Sequence, residues 1–221
     1  MGPVAGHLEA DVIRIESALP PELFRKLRKG VSRLGKERLS TTFQTTFWFD
    51  LGAPHSLPEK IICHLRRYVP TAPKIIGAEW WLSRMNTTNV QVDFHRDRDE
   101  KRALLNGRTI HPKMSSVLFL NRVEGGVLVL TRDPPDPKRI AFAPESRRWD
   151  LTAPSPNRFV IFPGNRTHGV LDATNQIPSL RSTGGQGQMR QTLVINWWHR
   201  RPVGLQRHLD TEIYRSLADS S

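Results

Sequence analysis

The chain has 221 residues, with 33 Lys and Arg against 21 Asp and Glu, which gives a formal net charge of +12 and a pI near 10.8. A hydrophobic fraction of 38% argues against a wholly disordered chain, and no apolar run is long enough to span a membrane. The single cysteine, Cys63, excludes a disulfide framework and any multi-cysteine metal site. With no apolar signal core near the N-terminus, we expect a cytoplasmic protein. The length predicts one domain over residues 1–221.

The first third of this domain, residues 1–73, predicts two strands and two supporting helices. Residues 11–16 alternate apolar and polar side chains, as strands do, and residues 17–34 place their apolar side chains on one helix face. Residues 41–51 are rich in Phe, Thr and Trp and predict a second strand. Residues 57–69 predict a second helix with an apolar inner face.

The remaining chain predicts a mainly β core. Clear turn signals separate short runs of strand-forming residues at 74–85, 89–95, 114–121, 127–131, 158–162, 169–171 and 191–198. Strands and helices do not alternate here, so the pattern favours a sandwich or barrel over βαβ units. We therefore predict a β core over residues 74–200, backed by the two helices, and a C-terminal tail over 201–221.

Three residues of this core are candidate metal ligands. His95 and Asp97 end the predicted strand 89–95, and side chains two positions apart in a strand point to the same face. This pair alone is equally compatible with a charged surface turn. His168, which follows the turn at Pro163-Gly164, supplies a third ligand. Two imidazoles and one carboxylate form the facial triad of non-haem Fe(II) oxygenases, which leaves three positions of the metal open.

A candidate anion clamp opens the last long strand. Arg190 and Thr192 are two residues apart, so they share one strand face. A guanidinium binds a carboxylate through two parallel hydrogen bonds, and a neighbouring hydroxyl adds a donor. An arginine at a strand edge is also compatible with an ordinary surface position, but its place after His168 favours the clamp.

The ordered set of three ligands and a clamp resembles the Fe(II)/2-oxoglutarate-dependent dioxygenases, which share a double-stranded β-helix, or jelly-roll, fold. Two further motifs resemble the prolyl-4-hydroxylase-like branch. Residues 116–121 and 124–128 are similar to its Leu-Asn…Glu-Gly-Gly hairpin, and Phe162-Pro163 followed by residues 168–170 is similar to its distal-histidine segment. The resemblance covers residues 75–198.

The resemblance implies an enzyme that uses Fe(II), 2-oxoglutarate and O2. It would hydroxylate an unactivated C–H bond of an amino-acid side chain in a peptide, a protein or a free small molecule, releasing succinate and CO2. It assigns the iron to His95, Asp97 and His168 and the 2-oxoglutarate to Arg190 and Thr192. Iron and keto acid then carry the oxidation, and the protein supplies geometry and a dry cavity.

Four polar residues near the His-x-Asp pair are candidates for substrate contacts. Gln91 and Asp93 alternate with His95 and are expected to face the same cavity. Arg84 lies upstream, where related enzymes place substrate or co-substrate contacts. Asp99 follows the metal ligands in the position from which AlkB-type dealkylases contact the base.

Alternatives to this function remain open. Residues 97–100 resemble the corresponding segment of the AlkB-type dealkylases of methylated nucleic acid, and the net charge of +12 would suit a nucleic-acid partner. Those enzymes carry two arginines in their final strand motif, whereas residues 191–198 carry none, and they lack the Gly-Gly hairpin. A second alternative is a jelly-roll binding module that has lost the iron.

The identity of the clamp is open as well. The interval from His168 to Arg190 is longer than usual for the resembled family. Either the loop at residues 179–188 is an insertion, or Arg181 within it holds the carboxylate. Arg190 is favoured because a strand follows it directly and Thr192 accompanies it.

Overall fold

The computed structural model describes residues 12–34, 45–70, 74–90, 92–132, 149–178 and 187–218. The strands within these ranges are β1 (Ile13–Ile15), β2 (Phe47–Phe49), β3 (Gly77–Asn86), β4 (Met114–Phe119), β5 (Leu128–Thr131), β6 (Trp149–Thr152), β7 (Phe159–Pro163), β8 (Thr167–Val170), β9 (Met189–Trp198) and β10 (Gln206–Arg207). The α-helices are α1 (Pro21–Arg33), α2 (Leu57–Leu65) and α3 (Glu100–Asn106). Short 3-10 helices cover Arg66–Tyr68, His208–Asp210 and Arg215–Leu217.

The strands form two sheets. The larger has the order β1-β7-β4-β9-β3-β2-β10, and the smaller has the order β6-β5-β8. All pairs are antiparallel except β10 with β2. The longest pairing joins β3 and β9 from Gly77 opposite Trp198 to Asn86 opposite Met189. The predicted mainly β class with supporting helices is confirmed.

Two helices cover one face of the larger sheet. Helix α1 begins at Pro21, whose fixed φ suits a first helical turn, and Ser56 caps α2 by accepting a hydrogen bond from the Glu59 amide. Their apolar side chains pack with those of β3 and β9 in one buried cluster, which includes Leu27, Val31, Ile61, Ile62, Trp80, Leu82, Leu193, Ile195 and Trp197. Burial of each large apolar side chain contributes roughly 1.5–3 kcal/mol, so this cluster holds the helices on the sheet.

Strand alternation then determines which side chains face the space between the sheets. In β9, Leu193 and Ile195 pack toward the helices. Arg190, Thr192 and Asn196 have the other parity, so they point away from the helices. The same rule directs Glu79 of β3 toward this inner face. The inner face of the larger sheet is therefore polar at both ends of β9.

The predicted strand at residues 89–95 is the main difference from the sequence-based expectation. The chain turns after β3, where Asn86 accepts hydrogen bonds from the Thr88 amide and hydroxyl. The described residues that follow are irregular except for one bridge between His95 and His168. Helix α3 and strands β6 and β10 were not predicted. The proposed subdivision of residues 1–221 stays a prediction.

Among the described residues, no helix combines the length and the apolar character needed to cross a membrane.

Candidate metal centre

Three side chains lie close together, two from the irregular stretch between β3 and α3 and one from β8 of the smaller sheet. The Nε2 atom of His95 lies 3.5 Å from Oδ1 of Asp97, and the Nε2 atom of His168 lies 3.6 Å from Oδ2 of the same carboxylate. The potential ligand atoms of the three residues all lie within 4.8 Å of one another. Donor atoms this close can bind one ion at ordinary bond lengths of about 2.0–2.2 Å.

A backbone bridge holds the two histidines together. The His95 amide donates to the His168 carbonyl at 2.9 Å, and the His168 amide donates to the His95 carbonyl at 2.8 Å. Gly169 permits this approach, because a Cβ atom there would lie 2.6 Å from the ring of Phe94. A larger residue in place of Gly169 would therefore clash with Phe94.

Main-chain carbonyls set the orientation of both imidazole rings. The Nδ1 atom of His95 lies 2.8 Å from the Asp93 carbonyl, and that of His168 lies 3.1 Å from the Arg166 carbonyl. A carbonyl oxygen can only accept, so Nδ1 carries the proton in each ring. Nε2 is therefore the atom of each ring that faces Asp97 and can bind a metal.

Asp97, which lies between the rings, is also held through its side chain and through its main chain. The Ser115 hydroxyl donates to Oδ2 of Asp97 at 2.7 Å, and the His111 ring donates to the Asp97 carbonyl at 2.6 Å. Neither contact was predicted, because both partners come from the segment beyond α3. Such outer contacts fix the direction of a ligand and raise its affinity for a metal.

The protonation states of the triad suit a cation. Burial lowers the pKa of His168 to about 4, so this ring is neutral near pH 7. Burial opposes ionisation of Asp97, but His168, His95 and the Ser115 hydroxyl hold the pKa of its carboxyl well below the usual range. Burial also disfavours a charged His95, yet the hydrogen bond and charge of Asp97 raise the pKa of that ring. A metal ion would take the place of that proton.

Arg190 and Thr192 form a second polar group on the inner face. Arg190 is buried, with 3% of its surface exposed, and its Nε atom donates to the Gly126 carbonyl at 2.9 Å. Its guanidinium lies 5.0 Å from the centroid of the Phe119 ring, and burial lowers its pKa to about 10. No carboxylate of the described residues pairs with it, and the Thr192 hydroxyl is buried without a hydrogen-bond partner there. A buried, uncompensated cation beside a free donor fits a carboxylate ligand.

The Gly-Gly hairpin makes room for this arginine. Gly125 and Gly126 both have positive φ angles, of 68° and 62°. A Cβ atom on Gly126 would also lie 2.9 Å from Cδ of Arg190. The predicted Glu124-Gly125-Gly126 motif is therefore a turn that carries a carbonyl to the arginine.

The substrate candidates near the triad have other surroundings. Asp99 is 3% exposed, and its carboxylate accepts from the Arg102 amide and Nε, both at 3.0 Å, and from the Val203 amide at 3.2 Å. Asp99 therefore caps α3, and its role as a substrate contact stays a prediction. The Asp93 side chain is exposed, and its carbonyl holds His95.

Arg84 does not share the face of the candidate metal centre. It has the parity of Trp80 and Leu82, which pack toward the helices. Its role as a substrate contact stays a prediction. Gln91 and Arg181 lie outside the described residues.

Sequence reasoning missed Glu79, a carboxyl group on the inner face of β3. Trp198 Nε1 donates to it at 3.0 Å, and Asn196 Nδ2 donates to it at 3.4 Å. Burial and the negative charge of Asp97 raise the pKa of Glu79 to about 7. Its place opposite Asn196 follows from the β3–β9 register, which a single sequence does not specify.

Replacing Glu79 with glutamine should stabilise the metal-free protein at pH 8 and have little effect below pH 4.5. The unfolded carboxyl ionises near its ordinary value of 4.5, whereas the folded one keeps its proton to about pH 7. Stability of the wild type therefore falls as pH rises between these values. The shift corresponds to about 3 kcal/mol, which partial exposure of the side chain reduces to roughly 2 kcal/mol.

Urea unfolding at pH 5 and pH 8 measures this difference. Glu22→Gln, at an exposed position of α1, is the matched control. A stability difference between the Glu79 variant and wild type that is the same at both pH values would contradict the prediction.

Solved structures match this fold, although no protein-family model and no curated protein matches the chain. A prolyl-4-hydroxylase from Pseudomonas putida matches with a TM-score of 0.53 and 16% identity, over 86% of this chain and 93% of its own. HygX from Streptomyces hygroscopicus, solved with nickel and 2-oxoglutarate bound, matches with a TM-score of 0.50 and 10% identity, over 89% of this chain and 84% of its own. At these identities the likeness establishes the fold, and the predicted jelly-roll core is confirmed.

Proposed function

We propose that this chain is an Fe(II)- and 2-oxoglutarate-dependent oxygenase that hydroxylates an unactivated C–H bond of an amino-acid side chain. The observation that carries the proposal is the presence of two complementary sites in the β core. His95, Asp97 and His168 offer a metal three ligands, while Arg190 and Thr192 offer a carboxylate a buried cation and a hydroxyl. A keto dicarboxylic acid is the co-substrate that such a pair of sites would bind together.

Each residue has a defined task in this proposal. The two neutral imidazoles and the Asp97 carboxylate hold the metal on one side, and Ser115 fixes the carboxylate. Arg190 binds the distal carboxylate of 2-oxoglutarate, and Gly126 aligns the guanidinium through Nε. When bound, Fe(II) and 2-oxoglutarate supply the oxidising chemistry, with succinate and CO2 as products. The apolar residues around Phe119 and Phe162 keep water from the site.

A peptide or protein is the substrate class we favour. One of the matching structures is a prolyl-4-hydroxylase. The structural match covers 93% of the chain of that enzyme. A free amino acid is the other substrate class for the same proposed hydroxylation. The cytoplasmic location expected from the sequence belongs to the proposal too.

The dealkylase alternative is less favoured. In that comparison Asp99 would contact the base, but its carboxylate is buried and bound to α3 and Val203. The net charge of +12 is the remaining feature in its favour.

A substrate screen tests the proposed function. Purified protein is given Fe(II), 2-oxoglutarate and O2, and succinate is measured with proline-containing peptides, free amino acids or methylated oligonucleotides. We expect succinate formation that depends on iron and is stimulated by a peptide or amino acid, with a mass gain of one oxygen on the product. Formaldehyde release from the oligonucleotides alone would favour the dealkylase, and no anaerobic binding of Fe(II) would support the binding module.

A further inference from the structure

We propose that a cavity next to the candidate metal centre binds a phosphate group. The cavity has a volume of about 360 Å³ and is lined by Arg96, Thr131, Arg132, Asn165 and Arg166. Three of these residues are arginines and none is acidic. A concentration of guanidinium groups with neighbouring hydroxyl and amide groups is the chemistry that recognises phosphate oxygens.

Arg166 is the central observation. It is 8% exposed, although it carries a charge. Its main chain is fixed, because its amide donates to the Pro163 carbonyl at 3.0 Å and its own carbonyl accepts from the His168 ring at 3.1 Å. In the part of the chain that the structure describes, its guanidinium has no hydrogen bond and no ion pair. An anion in the cavity would supply this guanidinium with a counter-charge.

Arg96 provides a second positioned cation. Its Nε atom donates to the Thr167 hydroxyl at 3.0 Å, which fixes the guanidinium at the wall of the cavity. The bridge between His95 and His168 places Arg96 directly opposite Thr167. The two terminal nitrogens of Arg96 are then left to donate to a ligand.

Charge and size select the ligand class. With Arg96 and Arg166 both facing the cavity, a dianion balances the charge better than a single carboxylate does. Small-molecule sites commonly have volumes of about 300–1,000 Å³, so this cavity has room for a phosphate group that carries a small organic part. The ligand we infer is therefore a phosphorylated small molecule. Because the cavity is separate from Arg190 and Thr192, the inference does not depend on the proposed oxygenase activity.

Calorimetric titration with methyl phosphate tests this site. The titration uses the full chain twice, once alone and once under anaerobic conditions with Fe(II) and 2-oxoglutarate. We expect saturable binding with one methyl phosphate per chain and the same affinity in both. Acetate, which has one charge, should bind at least about tenfold more weakly. Equal affinity for acetate, or no saturable binding of methyl phosphate to the full chain, would overturn the proposal.

Two variants locate the binding. Arg166→Gln and Arg96→Gln should each weaken methyl phosphate binding at least about tenfold, since each removes charge-assisted hydrogen bonds. Arg25→Gln removes the same charge from an exposed position of α1 and should leave the affinity unchanged. If the protein with a substitution at the buried Arg166 does not fold, the substitution at the half-buried Arg96 still tests the assignment. Wild-type affinity in a folded Arg96 or Arg166 variant would contradict the assignment.

Discussion

We expect Asp97→Ala to reduce Fe(II)-dependent succinate formation at least ~1,000-fold, beyond the 10–100-fold that loss of an outer contact typically costs. Asp97 is the only carboxylate of the triad, and each of its oxygens faces one of the two imidazoles. Its loss removes the negative charge that partly neutralises a dication and leaves two neutral ligands. Succinate formation at saturating Fe(II) and anaerobic metal binding measure the two effects separately.

The control for this variant is Asp150→Ala. Asp150 lies on β6 with its side chain 43% exposed and pairs with Arg14 at 3.6 Å, so its removal changes the same charge away from the triad. Thermal unfolding of both variants shows whether each is folded. Full turnover in a folded Asp97→Ala protein would rule out the triad as the metal centre.

Arg190→Ala should raise the KM for 2-oxoglutarate by about 100-fold or more while metal binding is retained. The estimate follows from the loss of two charge-assisted hydrogen bonds of about 1.5–3 kcal/mol each. Arg190→Lys keeps the charge but loses the planar fork, so we expect an intermediate KM. Initial rates at varied 2-oxoglutarate concentration provide the measurement.

A change at Arg181 separates the two candidate clamps. Arg181→Ala should leave the KM for 2-oxoglutarate within about twofold of wild type, since we assign the contact to Arg190. Arg25→Ala, at an exposed position, controls for the loss of positive charge at a distance. If Arg181→Ala produces the large increase and Arg190→Ala does not, the clamp is Arg181.

Residue chemistry made the candidate site predictable. A metal centre needs ligand types that few other positions require, so His95, Asp97 and His168 could be chosen before their distances were known. Arg190 and Thr192 could be placed on one face because side chains two positions apart in a strand point to the same side. The structure brings the three ligands together.

The sequence was least informative where contacts between residues distant in the chain determine the surroundings of a side chain or the course of the backbone. Asp99 looked available beside the ligands, but its partner amide comes from Val203 near the C-terminus. Arg84 looked close to the site along the chain, whereas the packing of Leu82 on the helices directs it away. The turn at Asn86 was predicted, but the predicted strand at 89–95 is represented in the described residues only by the isolated bridge of His95 with His168.

The bridge between His95 and His168 has a consequence for how the chain folds. The adjoining contact of Arg96 with Thr167 closes a loop of 71 residues, and closing a flexible loop of this length costs roughly 4 kcal/mol of chain entropy. The packing of the β core has to offset this cost before the two imidazoles can stay together. An ion held by both segments would therefore act as a reversible cross-link that stabilises the folded chain.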